Sequence, residues 1–261
     1  MRRKTIHGTF FAAVLRIIVI AAFLLGAAAV IAAFSAAFSA AETPKKQSAA
    51  SIAAPEAAAS KTSESSGKVY KEAEWNLVLV NPWNPVPDNH SITRTELKNG
   101  HSVDERCYPE LQKMMDDCRA EGLSPLICSS YRSEEEQERL YQNQVNRLLD
   151  AGFSQAEAEA EAGKVVAEPG TSEHQLGLAV DIVDVNNQNL DESQADTQVQ
   201  QWLMRNSWKY GFILRYPAEK SAITGIIYEP WHYRYVGKEA AADIYEQGIC
   251  LEEYLEGDPE I

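Results

Sequence analysis

Two of the five histidines stand in settings where chemistry could be assembled. His174 lies in Thr171-Ser172-Glu173-His174-Gln175-Leu176-Gly177-Leu178-Ala179-Val180-Asp181, and His232 lies in Glu229-Pro230-Trp231-His232. Gly177 permits a tight approach between the segment bearing His174 and a following strand that bears Asp181, which puts an imidazole and a carboxylate within reach of one ion. Asp181 interrupts an apolar run, Leu178-Ala179-Val180 before it and Ile182-Val183 after it. A carboxylate on the inner side of such a strand needs a strong partner, because burying it unpaired costs several kcal/mol or forces it neutral. Zinc would be such a partner. Two imidazoles and one carboxylate leave a fourth zinc position open, the arrangement of a catalytic rather than a closed structural site. Glu229, three residues before His232, could then take a proton from a water activated by the ion and hand it to a leaving amine. The spacings alone are weak patterns. His174 as a surface cap, Asp181 paired with an arginine, and Glu229 and His232 on a solvated strand remain open on spacing.

Arg132 follows two serines and Tyr131 at a strand-to-helix transition. A guanidinium there could bind a carboxylate through two hydrogen bonds or stabilise a developing oxyanion, while a surface salt bridge to one of Glu134, Glu135 and Glu136 is the plainer role. His90 and His101 stand in polar surroundings without a carboxylate at useful spacing, and His7 precedes a long apolar run. No GxSxG elbow, Walker loop or GxGxxG is present, which argues against a serine hydrolase and a nucleotide enzyme.

The elements that would position these residues can be read from periodicity and punctuation. Trp75 to Val80 reads as a short strand ended by the proline-rich turns after it. Cys107 to Glu121 reads as a helix, with Leu111, Met114, Met115 and Cys118 at helical spacing and Gly122 as the stop. Leu126 to Cys128 is a brief strand. Ser133 is a candidate N-cap for a helix running to Leu149, with three glutamates in its first turn where the helix dipole favours them. Ser154 to Ala162 opens with a Ser154/Glu157 capping pair and reads as a short exposed helix. Strands are expected at Leu178 to Val185, Phe212 to Tyr216 and Tyr228 to Val236, and helices at Trp202 to Tyr210 and Lys238 to Glu246. Helices and short strands follow one another in no regular βαβ repeat, so the class is α+β.

The two ends of the chain differ sharply in composition. Residues 17–41 carry no charge over 25 positions, whereas residues 70–261 hold 16 Lys+Arg against 35 Asp+Glu, a net of −19. Twenty-five uncharged, mostly apolar residues exceed the roughly 20 that span a bilayer. With Arg2, Arg3 and Lys4 in front, the sequence predicts a cytoplasmic segment at 1–16, a single-pass signal-anchor at 17–41 and an extracytoplasmic remainder. Cleavage after Ala41 is the competing reading. Residues 42–69 are rich in Ala, Ser, Glu, Lys, Thr and Pro, without large apolar groups to offset the entropy of ordering, and form a flexible linker. Residues 70–261 then suffice for one domain, expected to be a monomer. Its acidity and lack of a basic run exclude nucleic acid as a partner. Cys107, Cys118, Cys128 and Cys250 have no CxxC spacing; one or two disulfides are expected in an exported domain, against buried free thiols.

Taken together, these motifs resemble the VanY-type D-alanyl-D-alanine carboxypeptidases of the M15 metallopeptidase family. The match runs in order through Ser130-Tyr131-Arg132-Ser133 with Gln137, Pro169 to Asp181, Phe212 to Pro217 with Lys220, Thr224-Gly225, and Glu229 to Gly237. The resemblance implies the Hedgehog/DD-peptidase fold, helices packed on a small mainly antiparallel sheet. It also implies zinc held by His174, Asp181 and His232, Glu229 as general base and acid, and Arg132 facing the scissile carbonyl. Ser172 and Gln137 would hold the terminal D-alanine, and Tyr131 would shape the pocket. The implied reaction releases D-alanine from peptidoglycan stem peptides at the outer side of a bacterial cell membrane. An L,D-carboxypeptidase or peptidoglycan endopeptidase with the same machinery, a noncatalytic zinc-containing wall-binding domain, and a purely structural envelope protein are the alternatives.

Overall fold

The computed structural model of the chain describes residues 75–257. The expected cytoplasmic segment, anchor and linker all lie outside the described residues. No helix among the described residues is long and apolar enough to cross a membrane.

A hairpin of β1 (Arg94–Glu96) and β2 (Ser102–Asp104) leads into helix α1 (Tyr108–Ala120). Strand β3 (Pro125–Ser129), helices α2 (Glu134–Asp150) and α3 (Gln155–Ala162), and strand β4 (Ala179–Asp184) follow. Helix α4 (Gln198–Asn206), strands β5 (Phe212–Leu214) and β6 (His232–Tyr235) with a single helical turn at Ser221–Thr224 between them, and helices α5 (Lys238–Gln247) and α6 (Leu251–Gly257) follow in order. The main sheet runs β3-β4-β6-β5, and every neighbouring pair is antiparallel.

Alternation along the strands divides the sheet's two faces between packing and chemistry. Val180 and Ile182 of β4, Tyr233 of β6 and Phe212 of β5 join Leu111, Met114 and Met115 of α1 and Val199 and Leu203 of α4 in the main core. Asp181, His232 and Arg234, one step out of phase, point to the other face. Ile213, Ala241, Ile244, Leu251 and Leu255 form a second cluster that seats α5 and α6 against the sheet edge. Val145 on α2 meets Ala158 and Ala162 on α3, so the small, alternating alanines of α3 are the contact that lets two polar helices lie together.

Several expectations are refined. Helix α2 begins after Ser133, whose hydroxyl accepts from the Glu136 N–H, and α3 carries the full Ser154/Glu157 capping box. Helix α4 starts four residues before Trp202, because Thr197 caps it by accepting from the Gln200 N–H, and Ser207–Tyr210 continues as a 3₁₀ turn. The strand expected at Trp75 to Val80 is absent. Val78 and Val80 are buried in the core, but the carbonyls of Asn76 and Val78 accept from Arg234 Nη2 instead of a neighbouring strand. All four cysteines are free, so the expected disulfides do not form; Cys107, Cys118 and Cys250 are buried as small apolar groups in cores that hold without staples.

Candidate active site

The sheet register and one glycine turn bring the functional side chains together. Asp181 and His232 are direct partners on β4 and β6, so their side chains leave the same face. His174 sits in a 3₁₀ turn, Glu173–Leu176, that ends at Gly177 in the left-handed conformation, φ +70°. That turn folds the chain back, and Gly177 packs so closely that its carbonyl accepts from the Asp104 N–H at 2.9 Å. The rings of His174 and His232 meet edge to face with centroids 4.9 Å apart.

His174 Nε2 lies 3.4 Å from Asp181 Oδ2, and His232 Nδ1 lies 3.0 Å from Asp181 Oδ1. One ligand atom from each residue falls within 4.8 Å of the others. All three residues are buried, and His174 Nε2 and Asp181 Oδ1 make no hydrogen bond among the described residues. Buried polar atoms left without hydrogen bonds are rare. Two such atoms beside a third donor describe a vertex set for an ion whose bonds to nitrogen and oxygen are about 2.0–2.2 Å. The residues fit zinc.

The outer partners fix which nitrogen of each ring faces the centre. His174 Nδ1 donates to the Ser130 carbonyl at 2.7 Å, leaving Nε2 with its lone pair inward. Burial, aided by the Arg132 charge, lowers the His174 pKa to about 4, so this imidazole is neutral, as a ligand must be. His232 is turned the other way: Nε2 faces Glu173 Oε2 at 3.4 Å and Nδ1 faces the centre. Burial would lower the His232 pKa, but the adjacent Asp181 and Glu173 carboxylates hold it up at about 9. A cation at Nδ1 is therefore favoured, whether proton or metal. Asp181 is kept ionised against burial by both histidines.

Glu229 Oε2 stands 3.7 Å from His232 Nδ1. Its carboxyl is buried, and that burial pushes its pKa up to about 8 despite the opposing pull of His232 and Arg132. Such a group can both accept and release a proton near neutral pH. Arg132 is partly buried, and its Nε makes no hydrogen bond among the described residues. Its backbone N–H donates to the His174 carbonyl at 3.2 Å, which ties it to the ligand turn.

These groups line a cleft of about 1140 Å³ that also receives Tyr131, Ser172, Tyr216 and Trp231. Arg94 lies over the Tyr131 ring at 4.4 Å. Gln137, expected beside the terminal D-alanine, is not among the cleft-lining residues. It is fully buried on α2, where its Nε2 donates to the Ala167 carbonyl and steadies a wall segment. His90 and His101 are not members of the His174–Asp181–His232 group, although His101 lines the same cleft.

A sequence profile described as VanY, D-alanyl-D-alanine carboxypeptidase, matches residues 100–238. The chain belongs to the VanY family. It is 49% identical over 185 residues to a D-alanyl-D-alanine carboxypeptidase of Enterococcus faecalis, an alignment covering 70% of this chain and 67% of that one. Among solved structures, a mutant vancomycin-resistance D,D-pentapeptidase VanY from a VanB-type cassette, in complex with Zn(II), superposes with a TM-score of 0.64 at 47% identity. The superposition covers 70% of this chain and 99% of the other. VanYB in complex with D-alanine-D-alanine gives 0.66 at 47% identity, covering 71% and 99%. The mixed fold of helices against a small antiparallel sheet is that of VanY, and the His174–Asp181–His232 triad is a zinc site of the VanY type. The chain is a zinc-dependent carboxypeptidase.

Sequence reasoning picked out the triad but not its supports. Glu173, Arg215, Arg234 and Glu252 form a buried charged cluster behind His232, and the Tyr216 ring lies tilted at 45° to the His232 ring, centroids 4.8 Å apart. A signal was present: Arg215 ends the apolar run Phe212-Ile213-Leu214, and Arg234 sits between two tyrosines of a strand.

Proposed function

We propose that this protein removes the terminal D-alanine from peptidoglycan stem peptides ending in D-alanyl-D-alanine, with His174, Asp181 and His232 as the zinc ligands, Glu229 as general base and acid, and Arg132 facing the scissile carbonyl. The observation that carries the reading is the buried set of inward-facing donors, His174 Nε2, Asp181 Oδ1 and His232 Nδ1, with the Glu229 carboxyl beside them. Zinc bound there supplies positive charge that makes a water more acidic and a carbonyl more electrophilic. Glu229 takes a proton from the attacking water, and its raised affinity for that proton suits it to deliver the proton to the departing D-alanine amine. Arg132, with a buried Nε that makes no hydrogen bond among the described residues, meets the charge that develops on the carbonyl oxygen. Ser172, buried in the cleft wall, and Tyr131 contact the D-alanine end; Gln137 supports that wall from behind. The cleft is far larger than a dipeptide, which supports an occupant that continues upstream of the scissile bond.

The charge pattern of the first 41 residues supports a single-pass anchor in the bacterial cell membrane, with the linker holding a monomeric catalytic domain outside the cytoplasm at the wall. Nucleic acid has no part in this reading. The test is incubation of the purified chain with stem pentapeptide and stem tetrapeptide, followed by mass spectrometry. Loss of one alanine from the pentapeptide alone is the expected result. Trimming of the tetrapeptide alone would replace the assignment with an L,D-carboxypeptidase, and no cleavage of either by zinc-loaded protein would overturn it.

A further inference from the structure

Behind His232 a line of charged side chains runs through the interior to the C-terminal helix. Glu173 Oε2 faces His232 Nε2 at 3.4 Å, while Glu173 Oε1 accepts from Arg215 Nε and Arg234 Nη1, each at 2.7 Å. Arg215 then grips Glu252 of α6 with both remaining nitrogens, Nη1 to Oε2 at 2.9 Å and Nη2 to Oε1 at 2.7 Å. Asn81 Nδ2 donates to Glu252 Oε1 at 3.1 Å, and Asn81 Oδ1 accepts from the Trp83 and Asn84 N–H groups. Arg215 and Arg234 are fully buried, and Glu173 and Glu252 are at most 6% exposed. Two guanidinium and two carboxylate groups cancel in charge. A buried network of this kind is rigid while complete and costly once one member is removed.

Building on the zinc reading above, we infer that Glu252 is a positioning residue for the zinc ligand His232, acting through Arg215 and Glu173, and that Asn81 holds Glu252 in place. The two outermost members of this relay, Asn81 and Glu252, both fall outside the family-matched residues 100–238. The two-pronged grip of Glu252 occupies Nη1 and Nη2 of Arg215 and leaves only Nε for Glu173. Without Glu252, a fully buried guanidinium must find partners for two nitrogens, and Glu173 is the carboxylate it already touches. Arg215 would then draw the Glu173 carboxylate into a two-point contact and away from His232 Nε2. The imidazole would lose the partner that fixes its tautomer and ring orientation, and Nδ1 its aim.

The test uses the full chain and reads zinc rather than turnover. Zinc affinity is measured by chelator competition, and ligand geometry by the visible absorption of the Co(II)-substituted protein, for the parent chain, Glu252→Gln, Asn81→Ala and Leu255→Ala. Leu255 is buried on the same helix within the apolar cluster and has no polar group to join the relay, so its variant reports what simple loosening of α6 does. Glu252→Gln is expected to weaken zinc about 10- to 100-fold and to shift the Co(II) spectrum, as loss of an outer partner of a ligating histidine does. Leu255→Ala should lower the unfolding temperature while zinc affinity and spectrum stay at parent values. Asn81→Ala removes no charge and should weaken zinc severalfold, which keeps the inference open to refutation should Glu252→Gln fail to fold. Parent affinity and spectrum in a folded Glu252→Gln, or in Asn81→Ala when Glu252→Gln does not fold, would overturn it, as would equal weakening by Leu255→Ala. A parent chain that binds no zinc would instead overturn the functional assignment itself.

Discussion

Asp181 on β4 and His232 on β6 are paired residue to residue across the sheet, with Oδ1 and Nδ1 3.0 Å apart. Their separation is thus set by the backbone ladder rather than by flexible loops. A slip of one residue would turn Asp181 into the core face and Ile182 out of it. Asp181→Asn preserves the pairing and the side-chain volume but removes the charge that a divalent ion requires. Zinc content by elemental analysis should fall to trace levels, and kcat/KM should drop by more than the roughly 100-fold that loss of an outer partner alone costs.

Glu229→Gln separates chemistry from metal binding. The amide keeps the shape of the carboxyl but cannot accept the proton of the attacking water. Zinc content should equal that of the parent, KM should change little, and kcat should fall by about 10²- to 10⁴-fold. Parent turnover in this variant would sink the assignment of Glu229.

Arg132→Ala should also leave zinc in place, because the hydrogen bond that Arg132 makes to the His174 carbonyl comes from its backbone N–H, which the substitution keeps. A loss of about 10²- to 10³-fold in kcat, the usual cost of removing one oxyanion donor, is expected. Arg132→Lys should recover part of it, since an ammonium keeps the charge but not the planar fork. Steady-state kinetics on the stem pentapeptide would distinguish these outcomes.

Gly177→Ala tests the turn that carries His174. At φ +70° a Cβ is strained, and it would meet Ile92 Cδ1 at 2.4 Å and the Asp104 backbone N at 3.1 Å. The Ile92 side chain can turn aside, but the Asp104 backbone, hydrogen-bonded to the Gly177 carbonyl, cannot without moving β2. A destabilisation of about 1–3 kcal/mol is expected, seen as a fall of several degrees in the thermal midpoint.

The metal triad was legible in part because His174 and Asp181 break local patterns. Asp181 is a charge inside an apolar strand, and His174 precedes a glycine that the turn demands. The helices were legible where caps or periodicity were strong, as at Ser133 and Ser154. What could not be read depends on contacts between residues distant in sequence. Trp75 to Val80 has the composition of a strand, yet its carbonyls are taken by Arg234, more than 150 positions away. Gln137 is tied to the pocket by the family resemblance alone, and its Nε2 contact with the Ala167 carbonyl comes from the packing of α2. Glu252 sits in a glutamate-rich tail that looks solvated, and only the fold brings it to Arg215.

Cys107 offers a prediction in pH. Its thiol is 1% exposed, and Sγ donates to the Asp104 carbonyl at 3.2 Å, so the folded protein holds the proton. Burial, reinforced by the Asp104 charge, raises its pKa to about 12. An unfolded cysteine titrates near 8.5, so between about pH 8.5 and 12 the unfolded chain has lost a proton that the folded chain keeps. Stability from this group is therefore complete below about pH 8.5 and declines by about 1.4 kcal/mol per pH unit as pH rises through that window. Urea unfolding at pH 8 and pH 10 should show the parent losing about 2 kcal/mol more than Cys107→Ala over that interval. The comparison cancels the other three thiols, which both proteins share. Equal losses in the two proteins would mean that the Cys107 thiol ionises freely in the folded state, against its burial beneath the turn that ends at Gly177.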